Sequence, residues 1–170
     1  GPTGLIEKGR ENLLLQSNQF DTAWIEGGTA TLTSGQNGYD GTNNAWLLEA
    51  TSEVFIFYQN VSSSSGVCTF SVYAKGGTTN NLLLYVVTSP TTRVGFDLDP
   101  LNPSVNYNLR SLDASIEDVG NGWFRCSMVF SGASTQVRIF PTDSSGSPTI
   151  GDNIYIQDAQ LEIGLAATDY

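Results

Sequence analysis

The chain contains no histidine. That removes Ser-His-Asp and Cys-His relays, because each needs an imidazole to take up and return a proton near neutral pH. Glycoside hydrolysis would instead need two carboxylates facing each other across a cleft. Glu117 and Asp118 are sequence neighbours, so on an extended strand they point to opposite faces. Asp97 and Asp99 share a face but stand beside a turn containing Pro100 and Pro103, where capping is the expected role. A lyase or hydrolase would require opposed carboxylates or a Tyr–Arg–Lys cluster in a deep cleft, and no spacing here favours either. The sequence therefore reads as that of a non-enzyme. What remains able to act is a set of aromatic and hydrogen-bonding side chains, the residue types that cover the C–H faces of neutral sugars and bind their hydroxyls.

The elements that must position those side chains are strands. Ser115–Val119 and Trp123–Phe130 are two alternating arms around Gly120-Asn121-Gly122. Asn-Gly favours a hairpin because both residues tolerate the positive φ that tight turns between twisted strands require. Period two then splits the second arm. Phe124, Cys126, Met128 and Phe130 form a core face, while Trp123, Arg125, Ser127 and Val129 form the other. Cys68–Lys75 divides the same way, with Cys68, Phe70, Val72 and Ala74 inward and Thr69, Ser71, Tyr73 and Lys75 outward.

Further strands are expected at Glu11–Gln16, Ala30–Thr33, Trp46–Glu49, Val54–Val61, Leu82–Val87, Arg93–Leu98, Tyr107–Leu112, Gln136–Phe140 and Ile154–Leu161. Leu82–Val87 is apolar on both faces, as a central covered strand should be. Phe20 and Trp24 are expected to plug one end, and Gly35–Asn44 reads as an irregular loop. No window sustains a 3.6-residue apolar period. Ten or eleven strands without an internal repeat predict an all-β fold, a two-sheet antiparallel β-sandwich of the jelly-roll kind.

Composition narrows the partners. The 170 residues read as one domain over 11–170, preceded by a lead-in over 1–10 in which Gly1-Pro2 resembles a cleavage scar. The net charge of −10, with only 7 basic residues, leaves no basic stripe for nucleic acid or an anionic membrane. It disfavours acidic polysaccharides too, unless a local arginine or lysine cluster binds them. No apolar run approaches the roughly 20 residues of a membrane helix, and no signal-peptide leader is evident. Cys68 and Cys126 read as two buried thiols, the favoured reading, or as a cross-strand disulfide. Two cysteines without histidine make a poor zinc set.

Three motifs in order, Asn12-Leu13-Leu14-Leu15 with Ser17-Asn18, Phe20 and Trp24, then IEDVGNGWFRCSMVF, then Ile154–Tyr170, resemble a domain common in bacteriophage tail and other virion proteins. That domain is similar to jelly-roll carbohydrate-binding modules of the galactose-binding-like type, and the resemblance spans the chain from Glu11 onward. It implies a non-catalytic module on a virion surface or otherwise extracellular, with a poly- or oligosaccharide as partner and other virion subunits as further partners. A purely structural or oligomerising virion module is the alternative. The outward-facing set for a glycan is Tyr73, Lys75, Trp123, Arg125 and Ser127, with Tyr58, Trp46 and Tyr85 as neighbours. Trp123 belongs to the shared hairpin motif itself, which favours a structural role. Tyr39 and Trp46, at the irregular loop, are the more specific pair for a ligand. The resemblance also implies a structural calcium. Its oxygen ligands would come from Asp158, which matches best, with Asp40, Glu162, Asn12 and Glu11. Solvated surface carboxylates are an equal reading.

Overall fold

A computed structural model describes Leu13 and residues 18–54, 57–63 and 66–164. Among these residues there are eleven strands and no helix: β1 (Ala30–Gln36), β2 (Ala45–Ala50), β3 (Tyr58–Ser63), β4 (Val67–Gly76), β5 (Asn81–Val87), β6 (Thr92–Asp97), β7 (Ser104–Leu109), β8 (Asp113–Gly120), β9 (Trp123–Ser131), β10 (Ser134–Thr142) and β11 (Asn153–Ile163). They form two antiparallel sheets, ordered β1-β2-β11-β4-β9-β8 and β3-β10-β5-β6-β7. This is the two-sheet β-sandwich that the alternation predicts. The lead-in and the strand expected over Glu11–Gln16 lie outside the described residues except for Leu13, whose amide donates to the Leu161 carbonyl at 2.6 Å.

Apolar side chains on the facing surfaces fuse the sheets. Phe70, Val72 and Ala74 of β4 and Phe124, Cys126, Met128 and Phe130 of β9 are buried against Leu82, Leu84, Val94, Phe96 and Ile139 of the other sheet. The inward faces predicted for both arms are therefore the core faces. Cys68 and Cys126 are buried free thiols, and burial raises the Cys126 thiol pKa well above its ordinary value. One end is closed by an aromatic plug. Trp24 stacks on Phe57 with ring centroids 5.1 Å apart, and Phe20 lies 5.4 Å from Trp24.

The hairpin turn has the predicted conformation. Gly120 pairs with Trp123, leaving a two-residue loop in which Asn121 has φ 56° and Gly122 φ 81°. Two strands are displaced from their predicted positions. β7 ends at Leu109 rather than Leu112, because Arg110 turns to φ 67° and the Ser111 amide donates to Asn108 Oδ1 at 3.1 Å. β3 begins at Tyr58 rather than Val54, and Val54 is exposed. Asp97 and Asp99 cap the turn between β6 and β7: Asp97 accepts from the Asp99 amide and Asp99 from the Leu101 amide, each at 3.0 Å.

Candidate functional site

The aromatic residues predicted as outward-facing fall on two different surfaces. On the outer face of the six-stranded sheet, Lys75 pairs with Trp123 and Tyr73 with Arg125 across β4 and β9. The loop after β1 folds over this face. Tyr39 stacks flat on Tyr73, with centroids 3.6 Å apart and planes 6° from parallel, and its edge meets Trp123 at 6.2 Å. Trp123 retains 1% of its surface and Tyr73 7%. Arg125 lies 5.3 Å from the Tyr73 centroid and donates to Gln160 Oε1 at 2.9 Å. Tyr73, Trp123 and Arg125 thus face away from the main core, as predicted, but are covered by the chain itself. Lys75, opposite Trp123, instead lines a shallow groove of about 510 Å³ shared with Asn37, Leu47 and Tyr155.

Trp46 does not join Tyr39. It shares the inward parity of Leu48 and Ala50, opposes Ile156, meets Phe20 edge-on at 6.4 Å and donates its indole N–H to the Asn18 carbonyl at 2.9 Å. The two residues chosen as a ligand pair are on opposite sides of β2. Nearness to one irregular loop does not fix a face, whereas the strand's pleat does.

A bulge in β11 anchors the covering loop. The register with β4 shifts between Gln157 and Gln160, and Asp158 has φ 51°. The kink turns Asp158 toward the loop: its Oδ2 accepts the Tyr39 hydroxyl at 2.9 Å, and its amide donates to Asn18 Oδ1 at 3.0 Å. The Tyr39 amide reaches Gln157 Oε1 at 3.2 Å, and Gly38 approaches the same oxygen so closely that a β-carbon would overlap it. Burial lifts the Asp158 carboxyl to about 6, although the Tyr39 hydroxyl pulls in the opposite direction. Burial, then the Asp158 contact, pushes the Tyr39 phenol up. Asp40 is engaged by the Thr42 hydroxyl at 2.6 Å, Glu162 is buried, and Asn12 and Glu11 lie outside the described residues. Among the described residues no three His, Cys, Asp or Glu side chains gather as a metal set.

The outer face of the five-stranded sheet is different. Its registers place Tyr58 opposite Arg138, Arg138 opposite Tyr85, and Tyr85 opposite Arg93, one row crossing four strands. The next row is Phe140, Leu83, Gly95 and Tyr107. Gly95 permits the close approach of β7, since a β-carbon there would come within 2.7 Å of Asn106 Oδ1 and 3.1 Å of Tyr107 Cβ. Beyond lies Thr142 opposite Asn81, itself opposite Asp97. A groove of about 540 Å³ runs over this surface, lined by Leu83, Arg93, Gly95, Asn106, Tyr107 and the Asp143–Ser147 turn among others. Tyr107 is 47% exposed at its edge. The Asp143 carboxylate is turned into its own loop, where Ser145, Ser147 and Thr149 donate to it and hold its pKa down at about 2.

Of the predicted ligand residues, the structure gathers Tyr58 and Tyr85 here; Arg93, Arg138, Asn106 and Tyr107 escaped prediction. Their alternate spacing along strands was visible. Their alignment in one row depends on the register between strands distant in sequence.

No protein-family model matches the chain, and no curated protein matches it. Solved structures share its fold. The CBM22-1 xylan-binding domain of Paenibacillus barcinonensis Xyn10C superposes with a TM-score of 0.53 at 14% identity, covering 95% of this chain and all of that one. The CBM22-1–GH10 modules of Clostridium thermocellum xylanase 10B, solved with xylohexaose, give 0.52 at 15% identity over 95% of this chain and 29% of that one. The enzymatically active domain of tailspike protein 4 of bacteriophage CBA120 gives 0.50 at 14% identity over 90% and 21%. The chain thus shares the two-sheet β-sandwich fold of these structures.

Proposed function

We propose that this chain is a non-catalytic carbohydrate-binding module that holds an oligo- or polysaccharide along the outer face of the five-stranded sheet. The observation that carries the reading is the groove there, whose lining sets Leu83 and Gly95 between Arg93 on one side and Asn81 and Asn106 on the other, with the Tyr85–Arg138–Tyr58 row continuing the face beyond Arg93. An apolar strip covers sugar C–H faces while flanking donors and acceptors fix hydroxyls. Likeness to a xylan-binding domain and to a module solved with xylohexaose supports the sugar class. Likeness to part of a tailspike protein, together with the sequence motifs, supports a setting on a phage or phage-derived surface. That likeness also supports the second reading, a structural virion module that packs against other subunits without sugar affinity.

A glycan-array screen, with hits measured by calorimetry on the wild type and Tyr107→Ala, separates the two. A saturable hit weakened tenfold or more in the variant is the expected result. A blank across plant, algal and bacterial glycans would sink the binding reading in favour of the structural one.

A further inference from the structure

We infer that the outer face of the five-stranded sheet selects an acidic saccharide, one carrying a uronate carboxylate or a sulfate ester over Arg93, at the edge of the groove, and Arg138, beyond it across Tyr85; this rests on the sugar-binding reading above. Arg138 and Arg93 approach Tyr85 from the two neighbouring strands, their guanidinium carbons 4.9 and 5.5 Å from its ring centroid. Each therefore uses the ring as a π partner, which leaves the ring less free to stack on a sugar. The row binds through its guanidinium donors rather than through an open aromatic platform.

The charges are placed against the trend of the chain. The net charge is −10 and only seven residues are basic, yet two arginines flank one tyrosine. Two like-charged guanidinium groups repel unless an anion joins them. The chain supplies none: among the described residues neither arginine is ion-paired with a carboxylate. Arg138 donates from Nε to the neutral Gln136 Oε1 at 2.5 Å, and the buried Arg93 Nε has no acceptor at all. A planar carboxylate or a sulfate would offer oxygens to both forks in charge-assisted geometry.

The rest of the groove limits how much charge the ligand carries. Two strand rows beyond the arginines, a distance of about 13 Å, lie Asn81 and Asp97. A cleft there is lined by Asp97, Asp99, Asp143 and Asp152. A uniformly charged polyanion would be repelled at that end and by the net charge. One acidic sugar over the arginine row, continuing as neutral sugar toward Asn81 and Asn106, matches both ends.

The test is calorimetry on the unmodified protein with three trisaccharides: one ending in glucuronate, its methyl ester, and a counterpart ending in a sulfate ester. The acid or the sulfate should bind at least tenfold tighter than the ester, and the gap should narrow at high salt. The tighter of the two identifies the anion. Arg93→Gln and Arg138→Gln should each narrow the gap, read on protein shown to be folded. An ester that binds as tightly as both anions would overturn the inference while leaving sugar binding intact. So would array hits confined to neutral glycans. Absence of binding to any glycan would overturn the sugar reading itself.

Discussion

The two outer faces of the sandwich carry the same chemical pair, an arginine over a tyrosine, and put it to opposite uses. On the six-stranded sheet, Arg125 over Tyr73 is sealed beneath Tyr39 and donates to Gln160 of its own sheet. On the five-stranded sheet, Arg93 and Arg138 flank Tyr85 with no loop stacked on the ring and no carboxylate paired with either. Residue type does not separate the structural instance from the functional one. Nor does the hydrogen bonding of the guanidinium, since Arg138 donates to Gln136 much as Arg125 donates to Gln160. Cover does: a side chain sealed beneath a loop offers a ligand nothing, whereas one on an uncovered face can still meet one.

The comparison breaks most sharply at Trp123. If the closed face is a second small core, Trp123→Ala should cost about 3–5 kcal/mol in denaturant unfolding, like other large-to-small core changes. A near-neutral variant would mean that the face is only loosely covered and belongs with the ligand surfaces after all.

The next effect is a pH dependence confined to the closed face. The Asp158 carboxyl has its pKa raised by burial from 3.8 to about 6. A raised pKa means that the fold favours the protonated form, so this group's contribution is complete below pH 3.8 and fades as pH rises through 6. Relative to Asp158→Asn, the wild type should lose about 2–3 kcal/mol of stability over that interval. Other carboxylates shift in both directions, so the quantity to measure is the difference between the two proteins. A difference that stays flat from pH 4 to 7 would show that Asp158 is not held neutral against Tyr39.

How much of this was legible beforehand differs between core and surface. Phe124, Cys126, Met128 and Phe130 declare their face because alternation is local, and Asn121-Gly122 declares its turn because positive φ is a property of those two residues. The bulge at Asp158 also left a trace: Ile154 and Ile156 face inward at even positions, Ala159 and Leu161 at odd ones, and a switch of parity within a strand needs an extra residue. Tyr39, by contrast, reaches Tyr73 only because that bulge pulls its loop down. Arg93 meets Arg138 across Tyr85 only through pairings between strands more than forty residues apart in the case of β5 and β10. Both are tertiary facts, which is why Trp46 and Tyr39 looked like partners in the sequence and are not.

Gly122 offers a milder probe of the same contrast. At φ 81° an added β-carbon is strained, and it would also sit 3.3 Å from Lys75 Cε. Gly122→Ala should therefore destabilise by about 1 kcal/mol, through the turn that delivers Trp123 to the closed face. Glycan affinity should not change, because β8 and β9 contribute nothing to the groove. A fall in affinity at unchanged stability would place the ligand on the wrong sheet.

The smallest expected stability effect is at Tyr58, and it is the most discriminating. Its backbone pairs with Ile25 and with Arg138, interactions that truncation of the side chain leaves in place. Its ring is half-buried on the row that holds Arg138, and among the described residues no aromatic ring stacks on it as Tyr39 stacks on Tyr73. Tyr58→Ala should change unfolding free energy by no more than about 0.5 kcal/mol, as surface substitutions commonly do, while weakening glycan binding. Stability and binding should thus separate at Tyr58, where Trp123→Ala would lose both together through unfolding. If Tyr58→Ala instead destabilises as Trp123→Ala does, the row across the five-stranded sheet is packing, and the distinction between an open and a closed face fails at its strongest point.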